Sequence, residues 1–199
     1  MNRLLARERY EAIKSQAADL IEDYALEYPL DPHRLASTLG LRVHTFELGT
    51  ELYAAVCPHV EAVTFATSVA GSVKYDVYLD PLSVGTRRRF SLMHEISHVW
   101  LGHLDSASVG DAEKLEGEAN FLAQYLLAPD VLVDEWLPEL TTQGVRQEFQ
   151  VGWKTAELVV NRVSRARLSG RANHEYNLRI LSNARRAIQS EVLVAGGAA

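Results

Sequence analysis

The sequence FSLMHEISHVWLGH occupies residues 90–103 and is the most informative stretch of this 199-residue chain. Its apolar residues recur at helical spacing, which predicts a helix over residues 84–102 with a core face opposite His94. That face carries Leu92, Met93, Ile96, Val99 and Trp100. The opposite face, which carries the histidines, is then available for a binding site outside the core.

His94 and His98 are four residues apart, and side chains at this spacing lie about 40° apart around a helix, one turn from each other. Two imidazoles so placed can bind one zinc ion. Glu95 projects to the side, where it is poorly placed as a ligand but can act as a general base on a water that the metal activates. The alternative is a helix that is buried all round, with two hydrogen-bonded core histidines.

A catalytic zinc needs a third protein ligand, with the fourth position left for water. His103 is the nearest further histidine. In metzincins, however, a Gly and a His follow the second ligand by three and six residues. Gly102 and His103 follow His98 by four and five residues, so the metzincin pattern fails.

A better third ligand lies in the next predicted helix, over residues 111–128. Its apolar stripe contains Leu115, Ala119, Leu122 and Leu126. Glu118 falls on this inward face, whereas Glu116 and Glu113 lie off it. A carboxylate on a core face needs a cation or hydrogen-bond donors, and we therefore predict Glu118 as the third zinc ligand. The alternative for Glu118 is an ion pair at the helix margin.

The remaining pattern predicts a small sheet preceded and followed by helices. The period of the apolar residues changes to two between residues 41 and 80, which favours three or four strands. Strands are predicted at 41–46, 61–65 and 73–79. A helix is predicted at 3–27, and a short helix capped by Asp31 is predicted to continue through Leu39. Further helices are predicted at 130–137, 141–150, 153–168 and 172–192.

Composition places the chain among ordinary globular proteins, since 47% of its residues are apolar and 23% are charged. Its 20 Lys+Arg against 26 Asp+Glu give a net charge of −6, which excludes an overall basic coat for nucleic acid. The charge is unevenly spread, with −11 over residues 1–140 and +5 over residues 141–199. Two surfaces with different partners are therefore expected.

Several features favour a cytoplasmic protein without membrane contact. Cys57 is the single cysteine, so an intrachain disulfide is impossible, and we expect it to be a small core residue. The first residues are charged and lack the apolar core of a signal peptide. No apolar run approaches the roughly 18 residues that a membrane span needs.

Four short segments together resemble one known family, the ImmA/IrrE metallopeptidases. They are RRRFSLMHEISH at 87–98, LGH at 101–103, EANFLA at 118–123 and LLAP at 126–129. The departures from the family pattern are small. Leu122 departs from the usual arrangement of Phe and Ala, which Phe121 and Ala123 retain, and Ala128 replaces a frequent Met. Neither of these residues belongs to the predicted metal site.

The resemblance implies an α+β fold: a minimal, thermolysin-like zincin with a small, mainly antiparallel sheet and a mostly helical C-terminal half. It implies a peptidase domain over residues 1–140, in which His94, His98 and Glu118 bind zinc and Glu95 is the catalytic base. Two imidazoles and a carboxylate also suit manganese. Family members typically cleave a helix-turn-helix transcriptional repressor inside bacterial cells, releasing stress or mobile-element genes.

Two details of catalysis stay open in the sequence. The strand 73–79 precedes the catalytic helix and could pair with an extended substrate by β-augmentation, or it could equally be an ordinary internal strand. A second donor to the oxyanion is expected, and four residues qualify without distinction. They are His103, Tyr125, His174 and Tyr176.

The basic C-terminal part predicts a helix-turn-helix-like element over residues 141–170, followed by a helix and loose tail over 171–199. Gln150 and Gly152 stand where such motifs usually have Gly and Ser, so the turn is altered. Arg162, Arg165 and Arg167 could contact DNA phosphates, although a solvated face or docking of an acidic partner is favoured. The alternative function is a non-catalytic, zinc-containing regulator that binds DNA or a repressor through these helices. The oligomeric state is left open.

Overall fold

The computed structural model describes residues 7–57, 60–69, 71–104, 111–169 and 174–196, and the chain forms two compact units. Asp31–Ala123 make up the first, which we call the sheet unit. The second, the helical unit, combines the chain up to Leu30 with the chain from Gln124 onwards. The predicted functional boundaries at residues 140 and 170 stay a prediction, since the compact units are divided at other places.

The sheet unit begins with two short helices and one short strand, and the two longer strands of its sheet follow. Its elements are α2 Pro32–Thr38, β1 Arg42–Thr45, α3 Glu51–Val56, β2 Ala62–Val69, β3 Ser72–Leu79, α4 Gly85–Trp100 and most of α5 Ala112–Leu127. Helix α3 was not predicted from the apolar pattern. Thr50 caps its N-terminus by accepting a hydrogen bond from the Tyr53 amide at 3.2 Å. Cys57 at its end is half-buried, so the expectation of a core cysteine was wrong.

The sheet has three strands in the order β1-β3-β2. Strand β2 pairs with β3 antiparallel from Ala62↔Leu79 to Val69↔Ser72, and β1 pairs with β3 in parallel over a shorter stretch, from Arg42↔Asp76. The sheet is therefore mixed but mainly antiparallel by length, and the predicted α+β class is confirmed. Residues 76–79 of β3 are paired on both sides, so this half of the strand cannot bind a substrate by β-augmentation, whereas residues 72–75 pair with β2 alone.

Helix α4 packs its predicted core face on the unit's interior. Leu92, Met93 and Ile96 are fully buried, as are Val77 and Leu79, which alternate along β3. Burying side chains of this size stabilises a fold by about 1.5–3 kcal/mol each. This packing holds the helix with its histidine face away from the core.

The N-terminal half of α4 is tied to the strands by its arginines. Arg87 forms an ion pair with Glu61, which also accepts a hydrogen bond from the Ser91 hydroxyl at 3.0 Å. Arg88 donates to the Thr45 hydroxyl at 2.8 Å and to the Asp80 carbonyl at 3.3 Å. These contacts set the position of the helix relative to both edges of the sheet.

In the described residues, the helical unit contains five helices and the end of α5. They are α1 Arg7–Asp23, α6 Asp130–Trp136, α7 Thr142–Phe149, α8 Trp153–Ser169 and α9 Glu175–Gly196. Helix α1 ends earlier than predicted, close to Ala25, which adopts a left-handed conformation with φ of 46°. Residues 3–6 of the predicted first helix and residues 197–199 of the predicted tail lie outside the described part of the chain.

Helix α9 packs on α1 within the helical unit. Arg179 bridges Asp19 and Glu22 on α1, at 2.8 and 2.7 Å. The Asn183 amide donates to the Leu26 carbonyl at 2.9 Å. The last helix thus packs on another helix of the same chain. Within the described ranges, every helix is too short or too polar to span a bilayer.

The predicted helix-turn-helix-like element contains α7, a three-residue turn and α8. Gln150 adopts φ of 51° and ψ of 45° at the end of α7, so the left-handed conformation that glycine usually supplies is kept by a non-glycine residue. The altered turn residues therefore still produce two helices joined by a tight turn.

Two of the three arginines proposed for DNA contact are engaged within the helical unit. Arg162 donates to the carboxylate of Asp130 at 3.0 Å and to the Gln124 side chain at 3.1 Å. Arg167 donates to the carboxylate of Asp134 at 2.5 Å. Arg165 is exposed. Two of the four basic residues of α8 are thus paired with acidic residues of α6.

Candidate metal centre

The structure brings together His94 and His98 of α4 and Glu116 of α5. The two Nε2 atoms are 3.0 Å apart. The Glu116 carboxylate lies with Oε2 3.2 Å from His94 Nε2 and Oε1 3.3 Å from His98 Nε2. All three residues offer ligand atoms within 4.8 Å of one another. The i, i+4 spacing predicts that the two imidazoles lie close together, and their Nε2 atoms do so in the structure.

These separations fit a divalent metal ion. Zinc binds imidazole nitrogen and carboxylate oxygen at about 2.0–2.2 Å, so neighbouring ligands of a tetrahedral site lie about 3.3–3.5 Å apart. The three measured distances, 3.0, 3.2 and 3.3 Å, are close to the edges of such a tetrahedron. Two imidazoles with one carboxylate are also a known donor set of catalytic zinc, which leaves a fourth position open.

His98 is largely buried, with 11% of its side chain exposed. Burial, reinforced by the neighbouring His94, lowers the pKa of His98 to about 4. Its imidazole is therefore neutral at neutral pH, which is the protonation state that metal binding requires.

Glu95 lies beside the histidines but faces strand β2. The Thr64 hydroxyl of β2 donates to Glu95 Oε2 at 2.6 Å. Burial raises the pKa of the Glu95 carboxyl above its ordinary value, although the hydrogen bond from Thr64 acts in the opposite direction. A buried carboxylate held by Thr64 beside a candidate metal site is suited to accept a proton.

Glu118, predicted as the third ligand, occupies another place. Its position on the inward face is observed, since only 2% of its side chain is exposed. Its Oε2 lies 3.4 Å from His103 Nε2, and Lys114 lies 4.0 Å from its other oxygen. The carboxylate that faces both His94 and His98 is that of Glu116, so the geometry favours Glu116 over Glu118 as the third ligand. Glu118 lies on the inward stripe of α5 and Glu116 at its exposed margin, as the pattern predicts, and the identity of the third ligand stays a prediction.

The four residues considered as oxyanion donors are placed in separate surroundings. The His103 ring lies between His98 and Glu118, with Nδ1 3.1 Å from His98 Nδ1. Tyr125 is fully buried, and the Tyr176 hydroxyl donates to Glu11 at 2.5 Å. His174 lies 3.8 Å from the same Glu11 carboxylate. None of these contacts singles out an oxyanion donor, and that role stays a prediction.

The sequence placed Glu116 second to Glu118 as the third ligand, and it did not indicate Thr64. Glu116 was set aside because it lies off the apolar stripe, although a ligand at the edge of a core should itself lie at the margin of the stripe. Thr64 stands in an alternating strand, and nothing in that pattern indicates which helix residue its hydroxyl meets.

The sequence profile of one protein family, described as the IrrE N-terminal-like domain (Peptidase_M78), matches residues 36–161. The match covers more than half of the chain and includes every residue of the site described above. It confirms the resemblance to the ImmA/IrrE metallopeptidases. No curated protein sequence matched the chain significantly.

Proposed function

Because this chain belongs to the IrrE N-terminal-like family of peptidases, with a function of the metallopeptidase type, we propose that it is a zinc-dependent endopeptidase acting on a specific protein. The observation that carries the proposal is the convergence of His94, His98 and Glu116 beside Glu95. We assign the first three residues as metal ligands and Glu95 as the general base. Manganese is the alternative ion for the same donors.

The ligand residues hold the ion between two helices of the chain. His94 and His98 come from one face of α4, and Glu116 brings a negative charge from α5. When bound, zinc lowers the pKa of a water molecule towards 7 and polarises a peptide carbonyl. The neutral imidazole of His98 is ready to bind without first losing a proton at neutral pH.

Glu95 takes the proton from the attacking water and returns it to the leaving amine. Thr64 orients the Glu95 carboxylate through a hydrogen bond to Oε2. A non-catalytic, structural zinc site would have no need for a carboxylate held in this way. The position of Glu95 therefore favours the enzyme over the alternative of a zinc-containing regulator.

Strand β2 is the proposed docking edge for the substrate. It pairs with β3 on one side only, and its residues from Phe65 to Val69 are exposed. Its Thr64 contacts the catalytic base, so a peptide bound along β2 would pass the reacting groups. An extended peptide adds to such an edge through main-chain hydrogen bonds.

We propose a helix-turn-helix transcriptional repressor as the substrate and a cytoplasmic location, following the resemblance to the ImmA/IrrE metallopeptidases. Direct DNA binding by the C-terminal helices is a weaker proposal, because Arg162 and Arg167 already pair with carboxylates. The surface of these helices is a better place for protein recognition.

The first test is the metal content of the purified chain and of three variants. About one zinc per chain is expected, with loss in His94→Ala and Glu116→Ala and retention in Glu95→Gln. Protein N-termini are then compared between cells that express the wild type and cells that express Glu95→Gln. New N-termini within a repressor, present only with the wild type, support the proposal. A chain that binds no zinc, or a Glu95→Gln variant that cleaves normally, would overturn it.

A further inference from the structure

We propose that His103 and Glu118 are positioning residues that orient the metal ligand His98 through a buried row of polar contacts. The proposal rests on the proposed function in one respect, namely that His98 binds the metal through Nε2. It assigns a role to two buried polar residues that the ligand set and the general base leave unexplained.

The three side chains form a continuous row away from the metal site. His98 Nδ1 lies 3.1 Å from His103 Nδ1, and His103 Nε2 lies 3.4 Å from Glu118 Oε2. The rings of His98 and His103 are 5.1 Å apart and nearly perpendicular. Only 4% of the His103 side chain and 2% of the Glu118 side chain are exposed. Water therefore has little access to these contacts.

The direction of the hydrogen bonds follows from valence. When His98 uses Nε2 as a ligand, the ring hydrogen is on Nδ1, which then donates to His103 Nδ1. His103 therefore carries its own hydrogen on Nε2, and this atom faces the Glu118 carboxylate. The ring hydrogens of both residues thus lie on the side of the buried negative charge. Such an arrangement fixes the tautomer and the orientation of a metal-binding imidazole.

Glu118 and His94 provide two further observations. A carboxylate that is 98% shielded from solvent needs a cationic or hydrogen-donating partner, and the His103 ring lies 3.4 Å from it. His94 differs from His98, because its Nδ1 is buried and has no hydrogen-bond partner among the residues that the structure describes. The orienting chain is therefore specific to one of the two imidazoles.

The experiment measures zinc affinity, by competition with a chromophoric chelator, in the full metal-free chain and its variants. His103→Phe and Glu118→Gln are each expected to weaken zinc binding about 10- to 100-fold. The double variant is expected to be scarcely weaker than the worse single variant, since either change breaks the same chain. His103→Gln, whose amide can both accept and donate, is expected to retain more affinity than His103→Phe. The matched control is Glu113→Gln, an exposed glutamate on the same helix, which should bind as the wild type does.

The visible spectrum of the cobalt(II)-substituted protein separates positioning from ligation. It should keep its four-coordinate character in His103→Phe and Glu118→Gln and lose it in Glu116→Ala.

Zinc affinities within twofold of the wild type in both variants would overturn the proposal while leaving the metal site standing. Loss of the site in Glu118→Gln, with the spectral change of a missing ligand, would overturn it in favour of Glu118 as a ligand. Absence of zinc binding in the wild type would remove the proposed function as well. Circular dichroism of the metal-free variants checks folding, and His103→Gln against His103→Phe decides the matter if Glu118→Gln does not fold.

Discussion

Glu116 and Glu118 are two residues apart on α5, and their carboxylates end beside different histidines. Glu116 lies 3.2 and 3.3 Å from the Nε2 atoms of His94 and His98, whereas Glu118 lies 3.4 Å from His103. Positions two apart on a helix point about 200° away from each other. One of the two can therefore face the metal site only if the other faces elsewhere.

This relationship separates two functions that the sequence does not distinguish. A glutamate that binds a metal and a glutamate that balances a buried histidine both need a cationic or hydrogen-donating partner. In this chain the exposed member of the pair, with 58% of its side chain accessible, lies against the candidate ligands. The buried glutamate, Glu118, lies beside His103 instead.

Replacing Thr64 by Val tests whether the strand orients the catalytic base. The variant loses the 2.6 Å hydrogen bond to Glu95, and a hydrogen bond to a charged group is worth about 1.5–3 kcal/mol. We expect kcat/KM for the cleaved substrate to fall about tenfold or more, with zinc content unchanged. Thr67→Val, on the exposed part of the same strand, is the control and should have normal activity. Equal activity of both variants would contradict a role for Thr64.

Removing the metal should lower the stability of the fold, because a ligand that binds only the native state stabilises it. At a free zinc concentration of about one hundred times Kd, the free energy of unfolding rises by about 2.7 kcal/mol. Urea denaturation with zinc and with a chelator measures this difference. His94→Ala should show the same midpoint in both conditions. A wild type whose midpoint ignores the chelator would argue against a metal bound between α4 and α5.

The Glu61 contact predicts a pH dependence of stability. The hydrogen bond from Arg87, helped by that from Ser91, holds the pKa of the Glu61 carboxyl below its ordinary value. A lowered folded-state pKa stabilises the protein above the unfolded-state pKa of about 4.3, and this contribution is lost as the pH falls through the lower value. Glu61→Gln should therefore be slightly less stable than the wild type at pH 7, and the difference should shrink in acid.

Urea midpoints measured from pH 7 down to the acid range follow this difference. Glu47→Gln, an exposed glutamate of the same unit, should differ little from the wild type throughout. A Glu61→Gln deficit that stays constant into acid would show that the pair with Arg87 does not contribute through its charge.

Gln150 offers a test of the turn between α7 and α8. A non-glycine residue in the left-handed region carries a conformational cost of about 1–2 kcal/mol, part of which glycine recovers. We expect Gln150→Gly to raise the free energy of unfolding by up to about 1 kcal/mol. Gln147→Gly, within α7, should lower it by a similar amount. Thermal unfolding of both variants gives the comparison, and destabilisation by Gln150→Gly would mean that the Gln150 side chain itself holds the turn.

Much of the local structure follows from periodicity alone. The apolar residues at helical spacing predict α4, and their burial behind His94 is observed at Leu92, Met93 and Ile96. The same reasoning places Glu118 on the inward face of α5, where it lies. It fails at α3, since the six residues Glu51–Val56 are too few to show a helical period.

The sequence by itself determined which residues share a face of one element: His94 with His98, Glu118 with the apolar stripe, and the alternating residues of β3. These relations depend only on the repeat of a helix or a strand, which is a property of neighbouring residues in the chain. The tertiary structure decided which glutamate of α5 meets the histidines, that β3 is the central strand, and that Thr64 contacts Glu95. Each of these depends on the distance and rotation between separate elements, which are set by how their side chains pack and not by the period of either one.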